Sequence, residues 1–225
     1  MSAILGYLKT DCFVIATDTF SHYKENNNLI PLSYCLKTIL LPHHKSCFSV
    51  TGHSLIVSQL FSFIQNKVIA KDVSSLLNVI INHFKCNISD AIIVEGMIGI
   101  IYLFGLNDKS EQLECHKIKV SVDGTLKYER EFEDVIIARP ELNDHDKFLS
   151  EIGTRIVDEF LVEIMKQQKL EDEGKELSSR VGIGGQIHIT TIHYDRIQKQ
   201  ITFISKIAHT FNDYDVIGNK MLTNT

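Results

Sequence analysis

The sequence predicts an α+β fold, a four-layer αββα sandwich in which mainly antiparallel sheets lie between helices. Three observations predict it. Strand-like segments come in pairs joined by turns, without the regular βαβ alternation of a parallel sheet. Helical periodicity is confined to two blocks, one of two successive helices around residues 55–84 and one long helix around 144–169. With 225 residues and 44% hydrophobic content the chain can bury one substantial core, so residues 1–225 are expected as a single domain.

Residues 3–8 and 13–17 are apolar on both alternating faces, with Thr10-Asp11 as a turn between them, which fits a hairpin buried on both sides. Residues 21–33 contain Lys24-Glu25-Asn26-Asn27-Asn28 and are expected as a polar loop. Residues 37–41 and 46–51 form a second hairpin around Pro42-His43-His44-Lys45, so four strands should precede any helix. Beyond Gly52, Leu55, Val57, Leu60, Phe61 and Ile64 recur at helical spacing, and so do Val73, Leu76, Leu77, Ile80, Ile81 and Phe84. Two such amphipathic helices in succession should cover one face of a sheet. Strand character returns at 91–104, 114–122, 126–132 and 135–138, punctuated by turns at Asn107-Asp108 and Asp123-Gly124. The helix expected over 144–169 carries Phe148, Ile152, Ile156, Phe160 and Ile164 at i+4 steps. The charged segment 171–180 reads as a short exposed helix or loop, and strands over 186–194 and 200–207 close the chain.

Composition excludes several function classes. A net charge of −5 supplies no basic field to release counterions, which argues against nucleic acid or an anionic membrane as a partner. Cys12, Cys35, Cys47, Cys86 and Cys115 are odd in number, with no CxxC pair, and read as reduced thiols of a cytoplasmic protein. The first residues carry no basic region before their short apolar run, and no segment approaches the roughly 20 apolar residues of a spanning helix, so a soluble, unsecreted chain is expected. Gly182-Ile-Gly-Gly185 leads into an alternating strand and does not open a helix, unlike a phosphate loop. His188 and His193 fall on opposite faces of that strand and cannot share a metal. His43-His44 is a loop pair with no acidic or thiol ligand near it in sequence, so it reads as a surface turn.

The informative feature is the start of the chain. Removal of Met1 would make Ser2 the first residue and put a free α-amine beside a hydroxyl. An amine with an unperturbed pKa of about 7.7–8.0 can take the hydroxyl proton at neutral pH, so one residue supplies nucleophile and base. The run from Ser2 to Asp18 reads as a nucleophile, an apolar strand, a turn, and a strand ending in Ala16-Thr17-Asp18. This pattern resembles the first two strands of proteasome β subunits and of the bacterial proteasome-like peptidases, which are N-terminal-nucleophile (Ntn) hydrolases. In that family the aspartate follows the nucleophile by sixteen residues, the spacing of Ser2 and Asp18. Cys35-Leu-Lys37 resembles the family's lysine opening its third strand, and Thr51-Gly52-His-Ser resembles its small-Gly-small entry to the first helix. Gly182 to Gly185 resembles the glycine pair ahead of its penultimate strand. The resemblance is strong over residues 2–70, partial over 180–207 and architectural between them.

The resemblance implies an N-terminal serine amidohydrolase, acting on a peptide or other amide, that needs no cofactor and no metal and assembles as a homo-oligomer. Ser2 would be the nucleophile, Lys37 would stabilise its deprotonated hydroxyl, Asp18 would orient Lys37, and the Gly52 N–H would form the oxyanion hole. Read singly, Asp18 is a turn cap, Lys37 a solvated charge and Gly52 a helix-entry glycine. Replacing Lys37 by alanine is expected to abolish hydrolysis and leave the fold intact. The family's active β subunits mostly use threonine as nucleophile, and hold its amine with an aspartate and a serine near the late glycine pair. Arg180 and Ile183 stand at those positions here. The alternative is therefore a catalytically silent proteasome-like subunit that keeps the fold for assembly.

Overall fold

β1 (Ile4–Lys9) and β2 (Cys12–Asp18) form the first hairpin, pairing Ile4 with Thr17 and Leu8 with Phe13. The computed structural model describes residues 3–26, 28–84, 98–121, 123, 125–131, 136–143, 151 and 157–223. Among them the chain is a mixed α+β fold of twelve strands and four helices, and every strand pairing is antiparallel. The hairpin sits inside a five-stranded sheet with the order β10-β1-β2-β11-β12, whose other members are β10 (Ile136–Arg139), β11 (Gln186–Asp195) and β12 (Gln200–Thr210). A second five-stranded sheet runs β5 (Thr38–Leu41), β6 (Ser46–Gly52), β7 (Gly99–Asn107), β8 (Gln112–Val120) and β9 (Leu126–Glu131) in sequential order.

Alternation along the strands assigns the apolar residues to three buried clusters. Because successive side chains of a strand point to opposite faces, Leu5, Val14, Ala16, Ile187 and Ile189 meet Phe160, Leu161, Ile164 and Met165 of α3 (Val157–Glu173). On the opposite face of that sheet, Ile4, Phe13 and Ile15 meet Cys47, Tyr102, Phe104 and Cys115 of the second sheet. The far face of the second sheet, with Phe48, Val50, Ile101, Leu103 and Ile118, is covered by α1 (Ser54–Lys67) and α2 (Val73–His83). This explains why β1 and β2 are apolar on both faces: each face has its own layer to bury against. The two consecutive helices cover one face of a sheet, as their amphipathic spacing anticipates.

Several elements differ from the sequence reading. The segment expected as a polar loop over 21–33 is a two-stranded hairpin, β3 (Phe20–Glu25) and β4 (Asn28–Tyr34), so six strands precede α1. Its turn is made at Asn26, which adopts the left-handed conformation (φ 48°) that asparagine tolerates. Pro42–His44 is a short 3-10 helix, with proline in its first turn. The helix expected from 144 is described from Val157 and continues to Glu173, beyond the expected end. Phe148, Ile152 and Ile156, as well as Cys86 and the expected strand residues 91–97, 132 and 135, lie outside the described residues. A C-terminal helix, α4 (Tyr214–Thr223), was not anticipated; Tyr214 stacks on Tyr34 with ring centroids 4.4 Å apart, tying α4 to the β3–β4 hairpin.

A buried polar network occupies the same face of β8 as Ile118. Glu114 Oε1 accepts from Arg130 (2.7 Å), Asn107 (2.9 Å) and Ser110 (3.3 Å), and Oε2 lies 3.0 Å from His116 Nε2. Tyr128 OH is 2.8 Å from His116 Nδ1. Burial is the largest influence on His116 and pushes its pKa down; Glu114 opposes the shift and Arg130 adds to it. With Arg130 already neutralising Glu114, the imidazole stays neutral, donates through Nε2 to Glu114 and accepts a hydrogen bond from the Tyr128 hydroxyl at Nδ1. A histidine whose folded pKa lies below its unfolded value, about 6.5, contributes stability that is complete above that pH and is lost as the pH falls. Thermal melts from pH 7.5 to 5 should therefore show the native chain losing stability more steeply than His116→Gln. Parallel curves would mean that His116 does not titrate with unfolding in this range.

Candidate active site

Asp18 closes β2 and turns its carboxylate into the interior, where it is fully buried. A buried carboxylate is costly unless hydrogen-bonded and paired. Three donors meet it. Oδ1 accepts from the Ala3 N–H (2.9 Å) and from the Lys37 ammonium (2.6 Å), and Oδ2 accepts from the Gly184 N–H (3.3 Å). Lys37 lies in the link between β4 and β5, and its Nζ also donates to the Phe20 carbonyl at 2.6 Å. Its side chain is only 7% exposed. Lys37 is thus no solvated surface charge but half of an ion pair with a buried carboxylate, so its removal is now expected to cost stability as well as activity.

Gly52 ends β6 and leads into α1 through His53, the helix N-cap, whose Nδ1 accepts from Leu55 N–H at 3.3 Å. Its φ of +116° is closed to other residues in practice, and a Cβ there would stand 2.3 Å from the Ile98 carbonyl oxygen. Lys37 and Gly52 line one cleft of about 450 Å³, whose other walls include Phe20, Ile39, Val50 and Phe61. Lys37, bonded to Asp18, and Gly52 therefore come together at this cleft, and Ser2 lies outside the described residues. Its covalent neighbour Ala3 is buried and bonded to Asp18.

The glycine-rich segment 181–185 meets the site through Asp18, Thr19 and Phe20. Gly184 offers its N–H to Asp18 and its carbonyl to the Phe20 N–H (3.2 Å), and the Thr19 hydroxyl accepts from the Gln186 N–H (2.9 Å). Gly185 has φ +78°, and a Cβ on it would lie 2.5 Å from Thr19 Oγ1, so glycine is required for this approach. Arg180 and Ile183 are used differently from the family's aspartate and serine. Arg180 donates to the carbonyls of Lys175 (2.9 Å) and Glu173, capping the end of α3, and Ile183 is buried against that helix.

Sequence reasoning missed the residues that hold this segment. Lys169 and Asp172 fall on α3, and Asp172, read as part of an exposed charged stretch, is buried. The signal was present: Leu161, Met165, Gln168 and Asp172 fall at i+4, i+3 and i+4 on one helix stripe, which places a carboxylate where an apolar residue is the default.

Of the remaining candidates, Cys35 lines the cleft and the others do not. His188 is half-buried, 3.3 Å from Ser205 Oγ, and His193 is exposed. His44 Nδ1 lies 2.7 Å from the Ala70 carbonyl. Cys12, Cys35, Cys47 and Cys115 are free thiols. Among the described residues no group of three His, Cys, Asp or Glu side chains is arranged to hold a metal ion, and no helix is long and apolar enough to cross a membrane.

Chemically, the arrangement offers a lysine ammonium fixed by a carboxylate and a carbonyl, in a cleft also lined by His53 and Ser54 at the start of a helix. Positive charge and a helix N-terminus both favour negative charge developing near them. No family model matches the sequence, and no curated protein matches it.

Proposed function

We propose that the chain is an N-terminal serine amidohydrolase acting on peptides or related amides, with Ser2 as nucleophile after loss of Met1. The observation that carries this reading is the Asp18–Lys37 pair, whose carboxylate accepts from the N–H of the residue next to Ser2 and whose lysine lines the same cleft as Gly52. The three core clusters, helix on sheet, sheet on sheet and sheet on helix, support reading the fold as a four-layer αββα sandwich of the proteasome-like Ntn type. The resemblance over residues 2–70 adds the roles, and with them the expectation of self-association.

In this mechanism the Ser2 hydroxyl gives its proton to the Ser2 α-amine as Oγ bonds to the substrate carbonyl carbon. The Lys37 ammonium stabilises the developing alkoxide, and the Gly52 N–H takes the oxyanion, a donor worth about 3 kcal/mol in the transition state. The C–N bond then breaks, the leaving amine takes the proton held by the α-amine, and an ester on Ser2 remains. Water attacks the ester, returns its proton through the same amine, and frees the acid. The apolar walls at Phe20, Ile39, Val50 and Phe61 suit an apolar side chain beside the scissile bond.

Native chain lacking Met1 should hydrolyse a fluorogenic peptide library, with a rate that rises with pH as the α-amine loses its proton, around 8 for an unperturbed amine. Ser2→Ala should be inert. Equal turnover by the two chains would end the proposal. The second reading, a silent assembly subunit, is favoured by one observation: Arg180 is spent on the end of α3 and Ile183 on the core, so neither can hold an amine. Native protein that retains Met1 and hydrolyses nothing would support it.

A further inference from the structure

The backbone of four consecutive residues of the glycine-rich segment, 181–184, is held from outside it. Asp172 Oδ1 accepts from the Val181 N–H and Oδ2 from the Gly182 N–H, each at 2.7 Å. The Lys169 ammonium donates to the Ile183 carbonyl at 3.0 Å. Gly184, next in line, donates to Asp18 and accepts from Phe20. Lys37 is in turn bonded to Asp18 and to the Phe20 carbonyl, each at 2.6 Å. The bonds form a closed ring: Lys37 is held by Asp18 and Phe20, and both of those are held by Gly184. Whatever sets the position of Gly184 sets the position of the Lys37 ammonium.

We propose that Lys169 and Asp172, on the last turns of α3, are positioning residues for the Asp18–Lys37 pair, acting through the backbone of residues 181–184. The inference rests on the hydrolase reading above for its kinetic consequence, though not for its geometry. Lys169 is suited to the role because its own place is fixed: it is largely buried, with its ammonium 2.8 Å from both Asp213 Oδ2 and Glu173 Oε1 and 5.1 Å over the Phe211 ring. Burial alone would lower its pKa, but Asp213 and Glu173 outweigh that and raise it, so the ammonium persists as a donor. Asp172 complements it by meeting the two N–H groups just upstream.

The test is Lys169→Met, Lys169→Arg and Asp172→Asn, read by the Lys37 side-chain nitrogen resonance and by steady-state kinetics. Lys169→Met should shift the Lys37 resonance and lower kcat roughly tenfold to a hundredfold, with KM little changed, since small displacements of a catalytic group have effects of this size. Lys169→Arg keeps a cationic donor and should restore both. Asp172→Asn replaces one acceptor with a donor facing an N–H, so it should move the same resonance in whatever fraction folds. A folded Lys169→Met with the native Lys37 resonance would overturn the proposal. So would a kcat loss that Lys169→Arg fails to restore. If the native chain hydrolyses nothing, the hydrolase reading falls while the resonance still decides the positioning role.

Discussion

Lys37→Ala should both abolish hydrolysis and destabilise the fold. Removing the ammonium leaves the Asp18 carboxylate fully buried with two N–H donors and no counter-charge. Breaking a buried ion pair by deleting one partner costs about 3–5 kcal/mol, and the two remaining donors place this case near the lower end. Asp18→Asn/Lys37→Met removes both charges but turns one amide donor towards the Ala3 or Gly184 N–H, so the double variant should recover part of the loss, about 1 kcal/mol relative to Lys37→Ala. Urea unfolding of the single and double variants measures this directly. Both should be inactive, which separates the catalytic role of the charge from its structural one. A double variant no more stable than Lys37→Ala would mean that Asp18 is satisfied without Lys37, and activity in Lys37→Ala would remove lysine from the mechanism.

The second large effect concerns the contact between the sheets. Phe104 of β7 is fully buried and stacks on Phe13 of β2 with centroids 4.3 Å apart, so it joins the sheet that carries Asp18 to the sheet that carries Gly52. Phe104→Ala should cost about 3–5 kcal/mol through lost burial and the cavity left behind. For a chain of this size that corresponds to a fall in Tm on the order of 10 °C. A loss below about 1 kcal/mol would mean that the two sheets are not close-packed at this point.

The α+β class and the antiparallel pairing of the early strands were legible because β1 and β2 are apolar on both faces and short turns join the strands. Helices α1 and α2 were legible for the same kind of reason: Leu60 and Ile64, and Leu76 and Ile80, keep a period that only a helix buries on one side. The β3–β4 hairpin was not legible, since its pattern is mixed: Tyr23 and Leu32 are exposed, and it pairs with neither large sheet. α4 carries exposed Val216 and Leu222 and is held through Tyr214, so it has little apolar stripe to read. Strand partners far apart in sequence, such as β2 and β11, leave no local trace at all.

In the candidate site the spacing of Ser2, Asp18, Lys37 and Gly52 carried a resemblance, and the sequence alone left Lys37 open to reading as a solvated charge. Its burial depends on where residues 181–185 return, a long-range fact. Asp172 shows the converse: its place on the α3 stripe was visible, but a carboxylate in a charged stretch reads as exposed unless its stripe is followed past Gln168.

The proposed chemistry turns on the free amine of Ser2, and intact mass combined with an electrophilic amidohydrolase probe tests it most directly. Native protein should have a mass lower by one methionine residue and gain one probe adduct, mapped to Ser2 by fragmentation and absent from Ser2→Ala. Native protein that keeps Met1 yet hydrolyses peptides, or a probe adduct that maps elsewhere while Ser2→Ala stays fully active, would contradict the account.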